Sequence, residues 1–277
     1  MKKYSNCSFS GERSLFKGKD LEIDCCRFHD GESPLKESDN IKITNCSFEW
    51  KYPLWYSKNI TVNNSLFKVM SRSGIWYTNN ITLSNSTIEA PKEFRRSKDI
   101  KIYNTKFLDA IETLWNCERI EIKDSFFKGD YLLMNSSDIK IDNMHLDGNY
   151  ICDGAKNVTI KNSILNSKDS FWNAENVYVE NTKIIGEYIG WNSKNITFVN
   201  CEIESNQGFC YMDNVVLKNC KLINTTLAFE YSTVNATIDS TIDSVKNPIS
   251  GTIVSKGIKE LITDDCDVSK IKIITKE

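Results

Sequence analysis

Five of the six tryptophans in this 277-residue chain fall at one recurring position: Trp55, Trp76, Trp115, Trp172 and Trp191 each stand five residues before an aliphatic residue that opens a repeated phrase. The same position elsewhere holds Lys36, Arg95, Met134, Asp153 and Cys210. Flat apolar rings recurring on one surface suit the C–H faces of sugar rings, and an apolar surface with polar inserts is the default place to look for a ligand. Charge interrupts the column at Arg95 and Asp153, with Arg96, Glu89, Lys92, Glu112, Asp130 and Asp169 in neighbouring turns. Glycoside hydrolysis needs two carboxyl groups. Uronate lyase chemistry needs a cation to neutralise the substrate carboxylate and a base to take the α-proton. Arg95 or Arg96 could neutralise, and Glu112, Asp130 or Asp153 could serve as acid or base. The five tryptophans, Lys92 and Asp169 are then the expected substrate contacts. The rival readings are a self-stacking ladder and a dimer interface, since interfaces are rich in Trp, Tyr and Arg. Charged turn residues are also common on any solvated surface.

The elements that must hold these residues follow from an internal repeat. The phrase Asn-Ile-x-Ile-x-Asn-Cys-x-Phe at 40–48 recurs in variant form along most of the chain. Its first aliphatic residues, taken as position zero, are Leu21, Ile41, Ile60, Ile81, Ile100, Ile120, Ile139, Val158, Val177, Ile196, Val215 and Val234. The spacings are 20, 19, 21, 19 and 20, then 19 six times. Period-two alternation means strand rather than helix. A short strand and turn repeated at this interval buries its apolar face only by stacking on its neighbours. The expected fold is an all-β, right-handed, single-stranded parallel β-helix of twelve coils, the hand following the rule for parallel crossovers. Leucine-rich repeats are excluded because their Leu-x-x-Leu-x-Leu signature is missing. A second short strand is expected before each phrase, with position −6 (Leu54, Ile75, Phe94, Leu114, Leu133, Cys152, Phe171, Phe209) inward and the tryptophan column, −5, outward.

Two further columns support the coil. Position +4 is Asn or Asp from Asn45 to Asn219, suited to a left-handed corner and to amide stacking. Position +5 is small and includes Cys26, Cys46, Cys201 and Cys220, with Cys7 in a partial first coil. These five of the ten cysteines read as packing units, and no Cys-x-x-Cys or histidine cluster suggests zinc. Asp130, Asp153 and Asp169 could offer oxygen ligands to Ca²⁺ but sit at different coil positions, so neither metal nor cofactor is expected.

Residues 1–245 are expected to form the coils, with 1–20 as a partial coil or cap, and 246–277 a C-terminal cap where the asparagine column lapses. The net charge of −2 and the lack of a basic run give no reason to expect nucleic acid. No apolar run is long enough for a membrane span. Nothing after Met1-Lys2-Lys3 resembles a signal peptide, so the expected compartment is the cytoplasm.

The segments Phe9–Arg13, Asp30–Ser38, Lys51–Tyr56, Glu89–Ser97 and Leu227–Thr233 together resemble an uncharacterised bacterial family of β-helix proteins, pectin-lyase-like at fold level. The resemblance implies the fold but no activity. Polygalacturonase-like enzymes carry an Asp-Asp pair and a His in the middle coils, whereas the one Asp-Asp here is Asp264-Asp265. No catalytic residue carries over. The expected function is a carbohydrate-binding or carbohydrate-processing β-helix, a lyase or glycoside hydrolase if it is an enzyme, with an oligosaccharide or sugar derivative bound around Arg95, Trp115 and Asp153. The alternative is a non-enzymatic scaffold forming homodimers through the same stripe.

Overall fold

The structure, a computed structural model, describes residues 1–276. The chain divides into two compact units, Met1–Lys140 and Ile141–Glu277, built on one principle: a right-handed parallel β-helix, about 14 turns in all rather than the twelve counted from the phrase. Apart from the single-turn 3₁₀ helices Val69–Ser71 and Val268–Lys270, the described residues hold no helix, and none is long and apolar enough to cross a membrane.

In the first unit the position-zero residues stack in register from turn to turn. Leu21 pairs with Ile41, Ile41 with Ile60, Ile60 with Ile81, Ile81 with Ile100 and Ile100 with Ile120. In the second unit Val158, Val177, Ile196, Val215 and Val234 do the same. Parallel pairing then continues from Thr233–Ile238 to Ser250–Ser255 and on to Ile271–Thr275. Each named position-zero side chain is buried, as is the +7 column from Phe28 to Leu222. In the first unit the +7 rings stack face to face, with Phe28 and Phe48 at 4.7 Å and Phe107 and Phe127 at 4.5 Å. Like side chains stacked turn on turn let a narrow section bury its apolar groups against one another.

The corners behave as the residue types require. Every +4 residue from Asn45 to Asn219 has positive φ, between 44° and 54°. Side-chain amides link turns, as in Asn64 Nδ2 to Asn45 Oδ1 (2.6 Å) and Asn104 Nδ2 to Asn85 Oδ1 (2.8 Å) in the first unit. Cys26, Cys46, Cys201 and Cys220 are buried at +5, and all ten cysteines are free thiols. Burial pushes the Cys46 thiol up to about 11 and raises Cys26 as well, so these two are inert packing groups rather than nucleophiles.

The expected second strand is absent. In its place positions −8 and −4, and usually −6, are left-handed: Lys92, Phe94 and Arg96 in one turn, and Asp169, Phe171 and Asn173 in another, all have φ between 51° and 64°. Alternate left-handed residues cannot form an extended strand, so only isolated bridges join Trp76 to Arg95 and Arg95 to Trp115. Backbone hydrogen bonds between turns persist, such as Leu114 N–H to Glu93 O at 2.9 Å. The inward half of the facing rule therefore survives the change of backbone: all eight named −6 residues are fully buried.

Candidate functional site

The first unit builds Trp55, Trp76, Arg95 and Trp115 into a closed stack. Trp55 and Trp76 lie 5.4 Å apart with their planes 8° from parallel. The Arg95 guanidinium carbon sits 4.6 Å from the Trp76 ring centre and 4.6 Å from that of Trp115. Two cation–π contacts of ~0.5–2 kcal/mol each hold Arg95 between the rings. Arg95 Nη2 also meets Glu112 Oε2 at 3.0 Å, and Lys92 Nζ reaches the same oxygen at 3.1 Å. The structure thus brings together Lys92, Arg95 and Glu112, three of the expected site residues. Arg96 is exposed beside them, and Asp130 accepts the Glu112 N–H through its backbone oxygen at 3.0 Å. Glu112 ion-pairs with both cations, and Arg95 occupies one face of Trp76 and one of Trp115, so a uronate here would have to compete with Glu112 for the cations and with Arg95 for those ring faces.

Beneath this stack lies a residue the sequence reading passed over. Glu93 is fully buried and neither carboxyl oxygen makes a hydrogen bond; the Arg95 Nε is likewise buried and unpaired. Burial raises the Glu93 carboxyl well above the usual range, against a smaller opposing influence of the Gly74 and Ile75 backbone. A Cβ at position 74 would fall 2.7 Å from Glu93 Oε2, so glycine makes room for this carboxyl.

The second unit builds its part of the column differently. Trp172 and Trp191 are 6.2 Å apart and tilted by 34°, and Trp191 and Tyr211 are 4.7 Å apart and tilted by 46°. Tyr211 and Tyr231 continue the series at 5.4 Å and 41°. Cys210, expected outward in the column, is fully buried. Its small thiol turns inward to donate to Gln207 O at 3.3 Å, and the ring stack passes to the next residue, Tyr211. The splayed rings border a shallow groove of about 320 Å³ lined by Trp172, Asn173, Trp191, Asn192 and Tyr211, near the lower edge of the ~300–1,000 Å³ usual for small-molecule sites.

A ladder of polar side chains runs beside these rings. Asn192 Nδ2 donates to Asn173 Oδ1 at 2.8 Å, and Asn173 Nδ2 donates to Asp153 Oδ1 at 3.0 Å. Asp153 thus caps an amide ladder. Asp169 is buried one corner away, and burial raises its carboxyl despite a hydrogen bond from Tyr150. The asparagines sit at −4, where the signal was present in Asn116, Asn135, Asn173 and Asn192 at one offset. Among the described residues no group of three or more His, Cys, Asp or Glu is arranged to hold a metal ion.

The stacked turns and their aromatic column define a parallel β-helix with one closed and one open aromatic surface. The chain belongs to the family described as "Protein of unknown function (DUF3737)", whose model matches residues 2–275. No curated protein matches it. Similar solved structures include PfbA, a surface adhesin of Streptococcus pneumoniae, at 13% identity, covering 87% of this chain and 69% of that one with a TM-score of 0.37. The A-module of the mannuronan C-5 epimerase AlgE4 of Azotobacter vinelandii is 9% identical over 99% of this chain and 89% of that one, TM-score 0.30. The tailspike protein of E. coli bacteriophage HK620, in complex with pentasaccharide, is 9% identical over 88% and 60%, TM-score 0.41. These likenesses concern the solenoid fold alone.

Proposed function

We propose that the protein binds carbohydrate in the groove formed by Trp172, Trp191 and Tyr211. The observation that carries this reading is the pairing of splayed aromatic rings with an amide ladder along one edge. Sugar rings offer one apolar C–H face and a rim of hydroxyls. Tilted rings accept the face, and carboxamides both donate to and accept from the rim. The Trp115 surface of the first unit is not part of this site, because its stack is filled by Arg95. Intrinsic tryptophan fluorescence titrated with an oligosaccharide panel tests the reading. A saturable change that Trp191→Ala abolishes and Trp76→Ala preserves supports it. A flat response across the panel, in a protein that sizes as a dimer, favours the stripe as a contact between copies.

A further inference from the structure

Four of the five column tryptophans spend their indole N–H on the fold. Trp55 donates to Ser73 O, Trp76 to Lys92 O at 2.7 Å, Trp115 to Tyr131 O at 2.6 Å and Trp172 to Tyr188 O at 2.9 Å. Each acceptor is the −8 carbonyl of the following turn. The corresponding carbonyl for Trp191 belongs to Gln207, and among the described residues Trp191 Nε1 makes no hydrogen bond to it or to any other group. A register shift between Glu204 and Asn206 lies just before Gln207, and the Trp191 ring is tilted by 34° from that of Trp172. The half-buried indole, one of the groove's lining residues, thus keeps a donor that the fold does not use.

The charges around the groove restrict what that donor can meet. No lysine or arginine lines it. Three cations on surrounding turns are paired: Lys156 with Glu175 at 3.3 Å, Lys194 with Asp213 at 3.7 Å and Lys246 with Glu230 at 2.8 Å. The charged group of the polar ladder is the carboxylate of Asp153, held by Asn173. An anionic sugar would find no counter-ion among the lining residues and a carboxylate one turn along the ladder, a disfavoured arrangement in any partly dehydrated site. Carboxamides, a phenol and an unused indole N–H match hydroxyl and ring oxygens instead.

We infer that the groove selects a neutral saccharide, to which Trp191 Nε1 donates a hydrogen bond that the fold leaves unused. This rests on reading the groove as a sugar site. The test is a glycan array carrying neutral, uronic and sulfated saccharides, probed with the full chain, Trp191→Phe and Asp153→Asn. The expected result is signal confined to neutral glycans. Trp191→Phe keeps a ring but loses the donor, and should weaken the best of them about fivefold, the effect of one neutral hydrogen bond. Asp153→Asn should admit uronic glycans that the parent rejects. Binding dominated by uronic or sulfated glycans overturns neutral selection and leaves the sugar site standing. An unchanged affinity in Trp191→Phe, with the near-ultraviolet spectrum showing the fold intact, overturns the donor role. No binding by the parent chain removes the sugar reading itself.

Discussion

The two units carry the same aromatic column and use it in opposite ways. In the first, rings lie parallel and a guanidinium fills the space between Trp76 and Trp115. In the second, no cation intervenes, the rings tilt by 34° and 46°, and a groove remains. A stacked aromatic column is therefore closed or left open according to what fills the gap between successive rings, and the proposed ligand surface is the open one. One arginine with its carboxylate partner closes the gap; one inward-turning cysteine and a following tyrosine open it.

Substitutions that break the contrast should do so in order of how much each region depends on the altered group. The largest effect is expected at Trp191: Trp191→Ala removes the central ring of the groove and should lower carbohydrate affinity by ~100-fold or more, in line with alanine substitution of a buried aromatic anchor. Titration calorimetry with the best ligand found measures it. Trp76→Ala should leave that affinity unchanged and instead destabilise the fold by ~2–4 kcal/mol, because it removes a ring packed on Trp55 and Arg95. Denaturant unfolding measures the loss. Equal effects of the two substitutions on binding would break the comparison.

The next effect concerns pH. Burial raises the Glu93 carboxyl in the folded chain, so its contribution to stability is fully present in acid, below the ordinary carboxylate value. It is lost as pH rises through the folded value. Unfolding followed between about pH 4 and pH 8 should show this fall in the parent and a flatter profile in Glu93→Gln. Identical slopes would show that Glu93 does not carry the dependence. Glu49, also in the first unit, has the opposite sign. Lys68 at 2.9 Å, Arg27 at 3.2 Å and His29 at 3.3 Å hold it down to about 2. Its contribution is present above the ordinary carboxylate value and is lost as pH falls toward about 2. These partners are solvated, so Glu49→Gln should cost less than ~1 kcal/mol, and less still in high salt. This is the smallest of the effects, and a cost well above that bound would mean the Glu49 cluster is far less screened than its exposure implies.

The fold was legible because each turn repeats the same chemistry. Ile41, Ile60 and Ile81 recur with the period of a stacked coil, and Asn45, Asn64 and Asn85 mark a corner that needs left-handed backbone. The outward column of tryptophans was legible for the same reason. Its local geometry was not. The −5 position was read as strand, yet alternate left-handed residues such as Phe94 and Arg96 make it a turn. Whether rings stack or splay depends on the side chain one turn away, and periodicity carries no information about that pairing. Arg95 reads from the sequence as a group that could neutralise a substrate carboxylate because its position is legible there but its partners, Glu112 and two indole faces, are not. Glu93 went unnoticed because its column holds no constant residue type: Gly74 and Thr113 flank it at the same offset.

The central claim is that only the open column takes a ligand. The most direct measurement is the carbohydrate dissociation constant of Trp191→Ala and Trp76→Ala, taken side by side under conditions where both variants remain folded. The account predicts that binding disappears in the first and is retained at parental strength in the second. Binding lost in Trp76→Ala and kept in Trp191→Ala would contradict it and return the site to the Arg95 stack.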